Sequence, residues 1–168
     1  MTHVHPARAS DGPDVVVRDG RPGDVEAMAW AVSEGQRDEW HAQLARAEAG
    51  EVDFLVAEMH GQIVGKAVLD PTFRDAGVAW AWMGSVHPAY RGHGIGTAAL
   101  AVLEDRARAR GATALELCVD DDNPRARALY ERHGYVVTGP YVDSHDEIAT
   151  DGTVTRVETD AVLLRKEL

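Results

Sequence analysis

The chain has one cysteine and no long apolar stretch, and each scarcity excludes a class of protein. Cys118 cannot form a disulfide within the chain, which excludes a disulfide-stapled scaffold. No Cys/His cluster has the spacing of a zinc site, and we expect no metal. No apolar run approaches the roughly 20 residues of a membrane helix, and the N-terminus lacks the order of a signal peptide. We therefore expect a cytoplasmic protein with no membrane partner.

Positive charge is also scarce. The 168 residues include 17 Lys and Arg against 28 Asp and Glu, a net charge of −11. Binding to nucleic acid or to an anionic membrane requires a basic face, so we expect neither partner. An acidic surface concentrates cations, which favours a cationic small molecule or a basic peptide end. The same charge also fits a surface that serves solubility alone.

Apolar periodicity and the positions of glycine and proline predict an α/β fold with a mixed sheet. Residues 1–13 are predicted to be a flexible tail, and residues 14–168 a single domain. The predicted order is β-α-α-β-β-β-α-β-α-β-β, and strand–helix alternation is too incomplete for a doubly wound sheet. Helices are expected at 22–35, 37–49, 94–110 and 124–133, and strands at 15–18, 52–59, 63–69, 77–86, 114–119, 135–142 and 154–164.

The densest chemical signal lies between a predicted strand and a predicted helix, in the segment Arg91-Gly92-His93-Gly94-Ile95-Gly96-Thr97. Alternate glycines let the backbone approach a ligand, and free N–H groups at a helix start attract an anion such as a pyrophosphate. A glycine-rich turn without a ligand is the alternative. A Walker loop needs a lysine after its last glycine, and a dinucleotide fingerprint needs Gly or Ala at position 97, so both motifs fit poorly.

This loop resembles the pyrophosphate loop Arg/Gln-x-x-Gly-x-Gly/Ala of the GCN5-related N-acetyltransferase (GNAT) family. Residues 123–135 are similar to the family's Asn-x-x-Ala-x-x-Leu-Tyr-x-x-x-Gly-Phe/Tyr segment, and the agreement covers roughly residues 14–166. The resemblance implies a GNAT-like acyl-CoA N-acyltransferase fold. It also implies direct transfer of an acetyl group from acetyl-CoA to a primary amine of a small cationic molecule or of a peptide or protein. A homodimer is a looser expectation of the same resemblance.

The resemblance also implies which residues bind acetyl-CoA. Backbone groups of residues 84–86 would hold the pantetheine arm and polarise the thioester carbonyl, at a strand that splays from its neighbour. Backbone N–H groups of residues 92–97 would hold the pyrophosphate. Asn123 would lie near the cofactor arm, although its position before a proline equally predicts a helix cap. The full set is Gly84, Ser85, Val86, Arg91, Gly92, His93, Gly94, Ile95, Gly96, Thr97, Asn123 and Tyr130.

Four residues are candidates for the proton transfers. By the resemblance, Tyr130 would protonate the departing thiolate of CoA, although a tyrosine on an apolar helix stripe is also typical of a core. Ribosomal-protein N-terminal acetyltransferases have a Glu five residues before the motif asparagine, where this chain has Cys118. Glu116, on the same strand face, and Asp120, at the exit of the strand, are therefore the candidate general bases. Glu58 is a further candidate.

A second hypothesis remains open. Because Cys118 stands where one branch of the family has its base, the chain also fits a non-catalytic acyl-CoA-binding sensor or regulatory module. Tyr130 favours the enzyme, because a sensor has no chemical need for an acid at that position.

Overall fold

The computed structural model describes residues 14–31 and 34–168, so the predicted tail lies outside the described residues. Seven strands form one mixed sheet in the order β1-β2-β3-β4-β5-β7-β6, and the β4–β5 pair is its parallel pair. The strands are β1 (Val15–Asp19), β2 (Asp53–Met59), β3 (Gln62–Asp70), β4 (Val78–Val86), β5 (Ala114–Asp120), β6 (Val136–Ile148) and β7 (Val154–Glu167). The α-helices are α1 (Arg37–Glu48), α2 (Ile95–Ala109) and α3 (Pro124–Arg132). The mixed α/β architecture is therefore confirmed.

The helices cover opposite faces of the sheet. Along β2, Leu55 packs in the cluster that contains α2, whereas Phe54 and Val56 pack in the cluster that contains Trp40 of α1. Alternate side chains of a strand point to opposite faces, so α1 lies on one face of the sheet and α2 lies on the other, together with Tyr130 of α3. We call these the α1 face and the α2 face. None of the helices in the described ranges is both long and apolar enough to cross a membrane.

The predicted helix at 22–35 is wrong. The structure has three short 3₁₀ turns there, Pro22–Asp24, Glu26–Met28 and Glu34–Gln36, while residues 32 and 33 lie outside the described part. Val25 and Met28 are both buried, and their spacing of three residues suits a 3₁₀ turn. The carboxylate of Asp24 also accepts hydrogen bonds from the backbone of Arg21 and from the guanidinium of Arg18, which holds the first turn in place.

The last hairpin is longer than predicted. The sequence predicts that β6 ends at residue 142 and that residues 143–152 form a loop, but β6 continues to Ile148 and stays paired with β7 up to Val154. The many charged residues of this segment are typical of a loop. The two strands nevertheless form, because they have solvent on one side and pair through their backbones. The ladder between β5 and β7 reaches only to Asp120 and Ala161. Residues 143–148 and 154–159 therefore form a two-stranded ribbon beyond β5, which we call the hairpin arm.

Candidate active site

The central feature of the site is a gap between the parallel strands β4 and β5. Their ladder covers only three residue pairs, which end at Trp80 and Glu116. On the other side of β4, the register with β3 shifts, because Trp82 is opposite Val68 and Ser85 is opposite Lys66. Two residues of β4, at positions 83 and 84, therefore face one residue of β3, and such a bulge bends the strand. The bend accompanies the divergence of β4 from β5.

Tyr130 lies against this gap on the α2 face. A Cβ atom built on Gly84 would lie 3.9 Å from the hydroxyl oxygen of Tyr130, so these two residues, predicted from separate motifs, lie together. The ring of Tyr130 packs edge-on against Tyr135, with ring centroids 5.8 Å apart. Burial raises the pKa of Tyr130, and the nearby Cys118 adds to that shift. The phenol therefore keeps its proton at neutral pH and can act as an acid.

The glycine loop ends in an open helix N-terminus. Gly92 and Gly94 have φ angles of +81° and +78°, which L-residues with side chains rarely adopt. The first hydrogen bond of α2 runs from the N–H of Ala98 to the carbonyl of Gly94, and within the described chain no side chain caps this end of the helix. The N–H groups of residues 95–97 are therefore available to an anion, which favours the predicted pyrophosphate site.

Arg125 lies beside this loop and was not among the site residues predicted from the sequence. A Cβ atom built on Gly92 would lie 3.3 Å from the Nη2 atom of Arg125, and no carboxylate of the described residues forms an ion pair with this guanidinium. In a chain of net charge −11, an arginine without such a partner beside an anion site is a ready phosphate ligand. The feature of the sequence that could have indicated Arg125 is its position in the second motif, two residues after Asn123.

Other predicted residues of the loop have structural contacts. The side chain of Asn123 accepts a hydrogen bond from the N–H of Ala126 at 3.1 Å, so its predicted role as a helix cap is confirmed. The Nδ1 atom of His93 lies 3.0 Å from the carbonyl oxygen of Tyr90 and 3.1 Å from that of Arg91, which ties the loop to itself. Thr97 contacts His133, the residue that follows α3, at 3.3 Å. These contacts link the loop to the helix that carries Tyr130.

Glu116 lies on the α1 face, and ion pairs occupy both of its carboxylate oxygens. Its Oε2 atom accepts from Arg74 at 2.8 Å and its Oε1 atom from Arg165 at 3.2 Å, and the residue is only 7% exposed. Glu58 likewise accepts from Arg18 at 3.0 Å, on a strand that is separated from β4 by β3. These three ion pairs join a loop and neighbouring strands within the sheet.

The surroundings of Asp120 raise its pKa. It is half-buried at the end of β5, and its pKa is raised by burial and by the negative charges of Asp143 and Asp122. Its neighbour in the ladder is Ala161, whose small side chain separates it from Tyr141 on β6. Burial, together with the charges of Asp143 and Asp120, raises the pKa of Cys118 to about 12, so this thiol stays protonated and is a poor nucleophile.

An uncapped helix start at α2, a gap between β4 and β5 and a buried tyrosine against that gap are compatible with acetyl-CoA. No group of three or more potential metal ligands occurs within residues 14–31 and 34–168. The family model "Acetyltransferase (GNAT) family" matches residues 23–135, which is more than half of the chain. The chain therefore belongs to the GNAT acetyltransferases, and it is an acyltransferase that uses acetyl-CoA as cosubstrate.

Solved structures share the fold. The ribosomal-protein-alanine N-acetyltransferase from Brucella melitensis is 24% identical with a TM-score of 0.70, over 91% of this chain and 99% of that one. An N-acetyltransferase from Staphylococcus aureus Mu50 is 19% identical with a TM-score of 0.73, over 92% and 98%. The PaiA N-acetyltransferase from Thermoplasma acidophilum, solved in complex with coenzyme A, is 17% identical with a TM-score of 0.66, over 92% and 99%. A comparison with curated protein sequences gave no match.

A matched pair of glycine variants tests the phosphate site. Gly94 and Gly50 share a φ of +78° and have nothing within 4 Å of a built Cβ atom, but Gly94 precedes α2, whereas Gly50 follows α1 and contacts Arg110 beyond the far end of α2. We expect Gly94→Ala and Gly50→Ala to lower the free energy of unfolding by a similar amount, about 1 kcal/mol, because both force a side chain into the left-handed region. Only Gly94→Ala should weaken acetyl-CoA binding, by about tenfold. Calorimetric titration measures this, and equal affinity in the two variants would contradict the site.

Proposed function

We propose that the protein transfers an acetyl group directly from acetyl-CoA to a primary amine of a small cationic molecule or of a peptide end. The observation that carries the proposal is the gap between β4 and β5, with Tyr130 against it on the α2 face and Asp120 beside it on the α1 face. Two groups that can move protons thus border one opening from opposite faces of the sheet. Direct transfer proceeds through a tetrahedral intermediate, and it needs one group that takes a proton from the attacking amine and a second group that gives a proton to the leaving thiolate.

The donor side is the α2 face. Backbone N–H groups of residues 95–97 and the guanidinium of Arg125 would hold the pyrophosphate of acetyl-CoA. From there the pantetheine arm would enter the gap and bring the thioester to Gly84. The absence of a side chain at position 84 leaves room beside the hydroxyl of Tyr130. Backbone groups of residues 84–86 would polarise the thioester carbonyl and stabilise the oxyanion that forms there.

Two side chains would move the protons. Asp120 takes a proton from the incoming ammonium, directly or through a water, and the neutral amine attacks the carbonyl carbon. Its raised pKa makes it a stronger base than an ordinary aspartate. The tetrahedral intermediate then releases the second proton of its nitrogen to water, and as the carbon–sulfur bond breaks, Tyr130 donates its proton to the thiolate and is reprotonated from that water. We prefer Asp120 to Glu116 because two guanidinium groups already occupy the Glu116 carboxylate.

The α1 face favours a cationic acceptor. Asp143 and Asp120 lie close enough for each to act on the pKa of Cys118, so two carboxylates surround this side of the gap. Along β6, Tyr141, His145 and Glu147 lie on the same side as Asp143 because they alternate with residues of the opposite face. Negative charge at the mouth of a cleft raises the local concentration of a protonated amine. One of the similar structures is a ribosomal-protein-alanine N-acetyltransferase, which is consistent with a peptide end as one such acceptor.

The first test compares the wild type with Tyr130→Phe in a panel of amines and basic peptides, with free thiol from CoA as the readout. We expect the variant to bind acetyl-CoA normally and to lose turnover by about 100-fold, because the thiolate would leave without an acid. Tyr135→Phe is the matched control, since its hydroxyl donates to Glu104 and has no role in the proposed reaction. Full activity in Tyr130→Phe would contradict the acid role. Binding without turnover of any acceptor by the wild type would favour the sensor hypothesis.

The second test is the pH dependence of kcat at saturating acceptor. A general base works in its ionised form, so kcat should fall as the pH drops through the pKa of Asp120, and because that pKa is raised the fall should begin at a higher pH than for an ordinary aspartate. Asp120→Asn should lose this limb and about 100-fold of the rate. Asp122→Asn removes a neighbouring negative charge, so it should keep the plateau and move the limb to lower pH. An Asp120→Asn variant with an unchanged profile would exclude this base.

A further inference from the structure

Phe73 is an exposed aromatic residue that is anchored on both sides. It lies in the loop between β3 and β4 and is 57% exposed. The residue before it, Thr72, donates hydrogen bonds from its backbone N–H and its hydroxyl to the buried carboxylate of Asp70. The residue after it, Arg74, donates to the buried carboxylate of Glu116 at 2.8 Å. The ring of Phe73 therefore needs little further ordering to bind an apolar group, which lowers the entropic cost of binding.

The ring of Phe73 belongs to a row of three aromatic rings on the α1 face. Its centroid lies 5.4 Å from that of Trp80, and the centroid of Trp80 lies 5.5 Å from that of Tyr141. Trp82, two positions after Trp80, packs in the cluster that contains Trp40, so both side chains of β4 point to the α1 face. The middle ring is only 4% exposed, whereas the two outer rings are exposed or half-buried. We call these three residues the aromatic row.

One end of the aromatic row lies at the proposed site of acetyl transfer. Trp80 belongs to the last residue pair of the β4–β5 ladder before the gap. Burial raises the pKa of Tyr141, and the nearby Cys118 and Asp143 add to that shift. Asp143 also acts on the pKa of Asp120, so Tyr141 shares a neighbour with the proposed base. An amine beside Asp120 would therefore have the aromatic row within reach of the rest of its molecule.

We propose that the acceptor carries an apolar group several bonds from its amine, and that this group packs on the exposed ring of Phe73. The ammonium would lie beside Asp120 and Asp143, and the apolar group would extend along the aromatic row, where its burial is favourable. Trp80 separates Phe73 from Tyr141, so the amine and the apolar group cannot be adjacent, a condition that the second side chain of a peptide end meets. The inference rests on the proposed function, since it names the class of its acceptor. It assigns specificity to Phe73, which neither sequence motif contains.

Two small acceptors, alanyl-alaninamide and alanyl-phenylalaninamide, test the proposal, because they have the same amine and differ only in an aromatic ring. The readout is the ratio of their kcat/KM values, with free thiol from CoA as the signal. We expect the wild type to prefer alanyl-phenylalaninamide about tenfold, the selectivity that burial of a small apolar group supplies. Phe73→Ala should lower this ratio to about one. Phe73→Leu should keep most of it, because an apolar side chain remains.

Val16→Ala is the matched control, because it also removes an exposed apolar side chain. Val16 is 58% exposed and lies on β1, which β2 and β3 separate from β4, so its loss should leave the ratio unchanged. Equal kcat/KM values in the wild type, or a preference that persists in Phe73→Ala, would overturn the inference. Turnover of other amines with neither amide accepted would also overturn it and leave the proposed function intact. A wild type that acetylates no amine would overturn the proposed function, and this inference with it.

Discussion

The site depends on the failure of two parallel strands to stay paired. Beyond Trp80 and Glu116, β4 and β5 diverge, and the bulge at residues 83 and 84 supplies the bend. A regular sheet would satisfy its backbone groups in ladders and would place no opening between its faces. The divergence instead leaves backbone groups of β4 without ladder partners, so they can bind a ligand. It also makes an opening through which the two faces of the sheet are connected. The roles that we propose for Tyr130, Asp120 and the start of α2 all depend on this opening.

Burial acts on both proposed catalytic groups in the same direction, with two different uses. It raises the pKa of Tyr130, which keeps the phenol protonated and ready to donate. It also raises the pKa of Asp120, with help from the charges of Asp143 and Asp122, and a carboxylate of higher pKa accepts a proton more readily. Cys118 lies close to both residues and is held as a neutral thiol by the same surroundings. The different ordinary pKa values of a phenol and a carboxylate, rather than opposite shifts, therefore make Tyr130 the proposed acid and Asp120 the proposed base.

Local chemistry was predictable from the sequence, and long-range contacts were not. The helix predicted from residue 94, which begins at Ile95, and the helix cap by Asn123 follow from a few adjacent residues, and the structure confirms both elements. The two ion pairs of Glu116 come from residues 42 and 49 positions away, so no local pattern indicated that its carboxylate was occupied. The arm was missed for a related reason, because its strands are polar and owe their order to each other.

The helix predicted at 22–35 shows how a local preference can be outweighed. The segment carries helix-favouring signals such as Pro22 in the first turn and an acidic residue after it. Yet Asp24 is bound by Arg18 of β1, and the burial of Val25 and Met28 fixes a three-residue spacing. The resulting run of tight turns leads to Gly35, whose backbone lies against that of Ile148 at the end of β6. Tertiary contacts thus decided both the form of this segment and its meeting with the arm.

The most direct test of the account is a crystal structure of the protein with CoA. The account predicts the pyrophosphate on the N–H groups of residues 95–97 and the pantetheine arm between β4 and β5. It also predicts the CoA sulfur within about 3.5 Å of the hydroxyl oxygen of Tyr130, a distance that allows a hydrogen bond to sulfur. Electron density for CoA on another surface, or a sulfur atom out of reach of Tyr130, would contradict the claim that the gap is where acetyl transfer takes place.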